Sequence, residues 1–179
     1  MSCAFTGHRP AKFPWKYGEN DPRCVELKAV LARQIEKLAA AGVTDFYSGM
    51  ALGVDTWAAT AVLDLQERNP AIKLHCVLPC EGQETKWSAP AQVRCRDILS
   101  EADSVEYVKR TYDRKCMLER NQRLVDSAAL LLAVYNGEKR GGTAATVRYA
   151  QKAGREIIVI DPITLSVSHG KTALSPAHL

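Results

Sequence analysis

Apolar and polar positions along this chain follow two rhythms that replace each other in turn. Short apolar runs with strand character occur at 2–6, 44–48, 72–78, 104–108, 128–135 and 156–160. The segments between them repeat apolar residues at helical spacing. Residues 23–41 carry Val25, Leu27, Val30, Leu31, Ile35 and Leu38 on one stripe, and Gly42 stops it. From about Asp55 to Arg68, the residues Ala58, Ala61, Val62 and Leu65 face inward. Residues 91–101 place Val93, Ile98 and Leu99 inside, residues 115–127 read as a polar helix, and Thr143–Lys152 as another. Two stretches show no period. Residues 11–22 are broken by Pro14, Gly18 and Pro22; residues 163–179 are expected to be an extension or tail beyond one domain over 1–162.

Strands that alternate with helices predict an α/β fold: a mostly parallel central sheet of about six strands with helices on both faces. Ligands of such sheets sit beyond the carboxyl ends of the strands. The loops after the first, second, third and fifth strands should therefore share one rim.

Those loops carry the unusual residues. Thr6, Gly7, His8 and Arg9 leave the first strand. Ser48, Gly49 and Gly53 lead from the second strand to Asp55, a natural N-cap by residue type. Glycines there let the backbone lie close to a ligand, and a helix start offers free amides to an anion. Asn136 and Gly137 leave the fifth strand, and Gly141, Gly142 and Thr143 precede a helix in the same way. Two such loops in one small domain point to a phosphate-bearing ligand held between them. Asp55 itself would repel a phosphate, so it either meets a ribose hydroxyl or only caps its helix. Arg120 and Asn121 belong either to the site or to a solvated helix face. Glu81, after the third strand, is either an acid–base group or an ordinary loop carboxylate. Trp57 is expected in the core.

Composition narrows the function further. The 179 residues suit one domain. A net charge of +4, from 24 basic and 20 acidic residues, admits an anionic ligand. It lacks the dense basic stripe of a dedicated duplex-DNA binder, so duplex DNA is not an expected partner. The six cysteines, at 3, 24, 76, 80, 95 and 116, form no Cys-x-x-Cys pair and have no histidine pair nearby. Neither a metal, nor another cofactor, nor a disulfide is expected. No apolar run is long enough to cross a membrane, and Met1–Thr6 does not open a signal peptide. The expected setting is a reducing cytoplasm.

Taken together, Thr6-Gly7-His8-Arg9-Pro10, Ser48 through Asp55, Asn121 through Asp126, and Tyr135-Asn136-Gly137 followed by Gly141 through Thr146 resemble the YpsA-like branch of the SLOG superfamily. That superfamily joins DprA/Smf with the LOG phosphoribohydrolases. The resemblance spans about residues 2–162. It implies a Rossmann-like three-layer fold, a site for a nucleotide or nucleotide derivative that includes Thr146, and a homodimer. LOG enzymes carry a glutamate three residues after the Gly-Thr of their glycine motif, where this chain has Thr146.

The leading expectation is therefore a nucleotide-binding sensor or regulatory module, whose ligand is a nucleoside phosphate or an ADP-ribose-like molecule. One alternative is a LOG-type hydrolase of nucleoside monophosphates, with Asp55 or Glu81 as its acid. A further one is DprA-like binding of single-stranded DNA. Weak net charge and few rim aromatics count against the last.

Overall fold

The computed structural model describes residues 1–170. Its strands are β1 (Ser2–Gly7), β2 (Asp45–Ser48), β3 (Lys73–Leu78), β4 (Ser104–Tyr107), β5 (Leu130–Val134), β6 (Glu156–Ile160) and β7 (Val167–Gly170). Five helices connect them: α1 (Pro22–Ala40), α2 (Val54–Arg68), α3 (Ala89–Glu101), α4 (Cys116–Ser127) and α5 (Gly142–Lys152). The strands form one sheet in the order β4-β3-β2-β1-β5-β6-β7. All pairings are parallel except that of β6 with β7. This is the Rossmann-like three-layer arrangement expected from the alternation of elements.

Each helix buries most of the face that its period marks out; Val25 of α1 and Val93 of α3, expected on those faces, lie at their margins and are 53% and 47% exposed. Leu27, Leu31 and Ile35 of α1 join Val62 of α2 and Ile98 of α3 over Phe5, Phe46 and Leu74 on one side of the sheet. Leu124 and Val125 of α4 and Val147 and Ala150 of α5 cover Ala4, Leu131 and Ala133 on the other. The central β5 is buried along its whole length, which explains its uniformly apolar sequence. Trp57 lies in the core at 5% exposure, stacked near Phe13.

The strand order reverses between β1 and β5. From β1 the chain winds outward through β2, β3 and β4, then returns to lay β5 against β1, with Cys3 opposite Leu130. That reversal opens a crevice at the carboxyl ends of β1 and β5, the switch point of an open parallel sheet.

One segment differs from its expected form. Residues 163–170, read as part of an extension without regular structure, turn back and add β7 to the sheet. Asp161 makes the turn, its carboxylate accepting the amides of Ile163 and Thr164 at 2.8 and 2.9 Å. β7 is an exposed edge strand and so carries no apolar alternation to announce it. The remainder of that extension, 171–179, lies outside the described residues.

Candidate functional site

A cleft of about 390 Å³ opens at the switch point. Thr6 through Arg9 and Lys12 form one wall, and Arg140 through Thr143 with Glu138 the opposite one. Ala51 and Asp55 close the inner end, and Met117, Arg120 and Asn121 of α4 roof it. The structure thus brings ten candidates to one cavity: Thr6, Gly7, His8, Arg9, Asp55, Arg120, Asn121, Gly141, Gly142 and Thr143.

The other candidates stand behind the walls or away from them. Ser48 is buried; its hydroxyl donates to the Asp55 carbonyl and accepts the Met50 amide. Asn136 accepts a hydrogen bond from His8 Nε2 at 2.9 Å through the oxygen that also takes the Glu138 amide. Thr146 turns its hydroxyl back to the Gly142 carbonyl. Gly137 is exposed in the β5 exit loop. Glu81 is an exposed residue of the loop after β3 and lines no part of the cleft. Sequence reasoning missed Lys12, Met117 and Glu138. Lys12 and Glu138 join the two walls by an ion pair of 3.0 Å, and nothing in their spacing announces it.

At the start of α2 the expected N-cap role of Asp55 does not hold. The cap is Gly53, whose φ of 98° suits glycine. Asp55 is already inside the helix, and Trp57 donates to the Gly53 carbonyl at 2.9 Å. The freed carboxylate takes the Ala51 amide at 3.2 Å instead. It also faces Arg120, Nη1 to Oδ2, at 3.6 Å. Both side chains are buried, at 6% and 4% exposure. Burial pushes the Asp55 carboxyl above its ordinary value, with Arg120 pulling it down. Burial likewise lowers Arg120, with Asp55 opposing. Desolvation therefore outweighs the attraction for both partners.

Arg120 is not on a solvated face. It lies on the same stripe of α4 as the buried Cys116 and Leu124, at i, i+4 spacing. Its Nη1 donates to the Gly49 carbonyl. Gly49 must be glycine for this contact, because a Cβ there would overlap the guanidinium and stand 2.9 Å from the Asp55 carboxylate. Arg120 Nε is buried without a hydrogen-bond partner among the described residues. An unpaired buried donor is costly, and this one belongs to a side chain that lines an open cleft.

The start of α5 is different. Gly141 caps the helix with a φ of 101°, and no side chain caps it. Gly142 needs no positive φ, and a Cβ on it would meet nothing nearer than Asn121 Nδ2 at 4.0 Å. Both glycines are exposed at the cleft wall.

Among the described residues no cluster of three or more His, Cys, Asp or Glu side chains is placed to hold a metal ion. All six cysteines are buried and unpaired. No described helix is long and apolar enough to cross a membrane.

Sheet order and crevice define a doubly wound α/β domain with an open cleft at its switch point. The chain belongs to the YspA SLOG family, whose family model matches residues 3–165. It is 33% identical over 154 residues to a UPF0398 protein of Bacillus thuringiensis (strain Al Hakam), covering 84% of this chain and 83% of that one. The UPF0398 protein BH1768 of Halalkalibacterium halodurans is 31% identical over 138 residues, covering 76% and 73%. The fold is similar to that of DNA processing protein A from Helicobacter pylori, a structure described for its single-stranded DNA binding mode. The TM-score is 0.61 at 19% identity, with 90% of this chain covered and 65% of that one. This chain therefore spans about two thirds of that protein's length.

Proposed function

We propose that the cleft binds a nucleotide or nucleotide derivative by its phosphate, and that the domain acts as a sensor or regulatory module. The observation that carries this reading is Gly142. Neither backbone strain nor a protein neighbour requires glycine there, and a side chain would project toward Asn121 at the cleft wall. A phosphate against the first amides of α5 accounts for the missing side chain. Arg9 and Arg140 bring positive charge to the same cleft. The inner end of the cleft, where Asp55 lies beside Arg120, suits ribose hydroxyls better than a phosphate.

Hydrolysis of the base–ribose bond is the weaker alternative. The LOG glutamate position holds Thr146, buried and bonded to its own helix. Glu81 lies outside the cleft wall. Single-stranded DNA, which the similarly folded DprA binds, is a chain of such nucleotides, and one of its units meets the same cleft.

Calorimetry with AMP and ADP-ribose, on the unaltered protein and on Gly142→Val, tests the placement. The variant should melt within a few degrees of the parent and lose at least about tenfold in affinity, since valine projects into the anion position. Equal affinity in the two proteins would sink it. An assay for released base should stay at background; steady turnover would restore the hydrolase alternative.

A further inference from the structure

Two surfaces away from the cleft carry opposite charge, and neither is answered within its own chain. The first is a groove of about 720 Å³ between α2 and α3. Leu63, Pro90, Val93 and Ile98 give it apolar surface, and Val93 is left exposed there. Asp64 and Glu67 line it from α2, and Asp97 and Glu101 from α3. All four acids are exposed, and none forms an ion pair among the described residues. The one cation that lines the groove, Arg94, is taken by Glu19 at 2.8 Å. Asp64 and Glu67 are three residues apart and Asp97 and Glu101 four, so each helix sets like charges side by side at a cost in stability. No three of these acids are placed to hold a metal ion. Cationic side chains brought from outside the groove would offset the repulsion.

The second surface is the turn from β4 to α4. Arg110, Arg114 and Lys115 are exposed there and form no ion pair among the described residues. Tyr112, between them, is 68% exposed. The turn is pinned at both ends. The Val108 and Lys109 amides donate to the Leu78 and Pro79 carbonyls at 2.9 and 3.1 Å. Asp113 accepts the Lys115 and Cys116 amides at 2.8 and 2.7 Å, and its carboxylate pairs with Lys109. A ring held out on a pinned turn has little freedom left to lose on docking. Tyrosine and arginine are among the residues that dominate interface hot spots.

No residue of this turn lines the groove of its own chain. We propose that the groove receives the turn of a second copy of this chain. Tyr112 seats on the apolar surface of Leu63 and Val93, and Arg110, Arg114 and Lys115 meet the four acids. Charge complementarity selects this occupant, since the chain itself carries the cationic, ring-bearing partner that the groove lacks. The contact joins two unlike patches, so each copy that docks still presents a turn or a groove, and association does not have to stop at two. The ring supplies most of the strength, whereas exposed charge pairs supply orientation and a dependence on salt. The contact is independent of what the cleft binds.

Sedimentation equilibrium of the unaltered protein over a concentration series tests it. At about 0.05 M salt the average mass should climb above that of one chain as concentration rises, and it should fall back at about 1 M, where charges are screened within about 3 Å. Asp97→Lys with Glu101→Lys, and separately Arg114→Glu with Lys115→Glu, should each weaken association at least about tenfold. A chain that carries all four substitutions should regain it. The second pair lowers the net charge from +4 to zero, a change that by itself favours association, so its weakening isolates the specific contact. Tyr112→Ala should weaken association about tenfold with no change in charge. All five positions are exposed, and melting within a few degrees of the parent shows that the variants are folded. A protein that stays a single chain up to about 1 mM at low salt would overturn the proposal. So would association that survives either reversal, or a quadruple variant that melts normally and remains monomeric.

Discussion

The two glycine loops at the cleft look alike in sequence and do opposite things in the structure. In the loop after β2 the protein supplies its own ligands. The Met50 amide is taken by Ser48, the Ala51 amide by Asp55, and the Gly49 carbonyl by Arg120. In the loop before α5 nothing of the protein fills the space in front of Gly142. A glycine can be present because a neighbouring side chain needs its room, or because something from outside does. The sequence shows the two kinds alike, and coordinates tell them apart.

The largest way to break that contrast is Arg120→Ala, which removes the side chain that fills the first loop. It leaves Asp55 buried and unpaired, and the folded state should lose about 3–5 kcal/mol in urea denaturation. A loss below about 1 kcal/mol would mean that the pair contributes little.

The same pair sharpens the contrast through pH. Burial holds the folded Asp55 carboxyl above the unfolded value of 3.8. Its contribution is thus complete below that value and is lost as pH rises through the folded one. Without Arg120 the folded value climbs further, so the loss continues to higher pH. The stability gap between parent and Arg120→Ala should widen from pH 4 to pH 7. A gap that narrows would show that Arg120 does not stabilise the ionised form.

Next comes Gly49→Ala. The added methyl overlaps a guanidinium held on two sides, at a cost of about 1–3 kcal/mol from overpacking. Its counterpart at the second loop, Gly142→Ala, has the smallest expected effect on folding, within about 0.5 kcal/mol, since alanine favours the helix. Thermal melts of the two variants side by side check the pair. Equal losses would erase the distinction between the loops.

Much of this was legible in the sequence, and what was missed was missed for local reasons. Apolar patterning marks β1, β2, β3, β5, β6 and all five helices, because those elements bury apolar faces; β4 was legible from its residue types, although it is exposed throughout. β7 buries none and stayed hidden. The rim assembled as the alternation of elements implied. Asp55 was misread because residue type favours it as a cap, whereas the positive φ of Gly53 starts the helix earlier. Arg120 was left open between site and solvent, although its i, i+4 relation to Cys116 and Leu124 already put it on the buried stripe.

The pairing of β1 with β5 also sets a schedule. Ser2–Gly7 leaves the ribosome well before its partner Leu130–Val134. Until β5 docks, β1 has an open edge and the wall from Glu138 to Thr143 does not exist. Contacts so distant in sequence form late, after the cost of closing a long loop has been met. The β1–β4 half can collapse while synthesis continues, whereas the cleft is completed only after β5 and the start of α5 have emerged. A nascent or truncated chain ending before residue 130 therefore lacks one wall of the cleft, however well its first half folds.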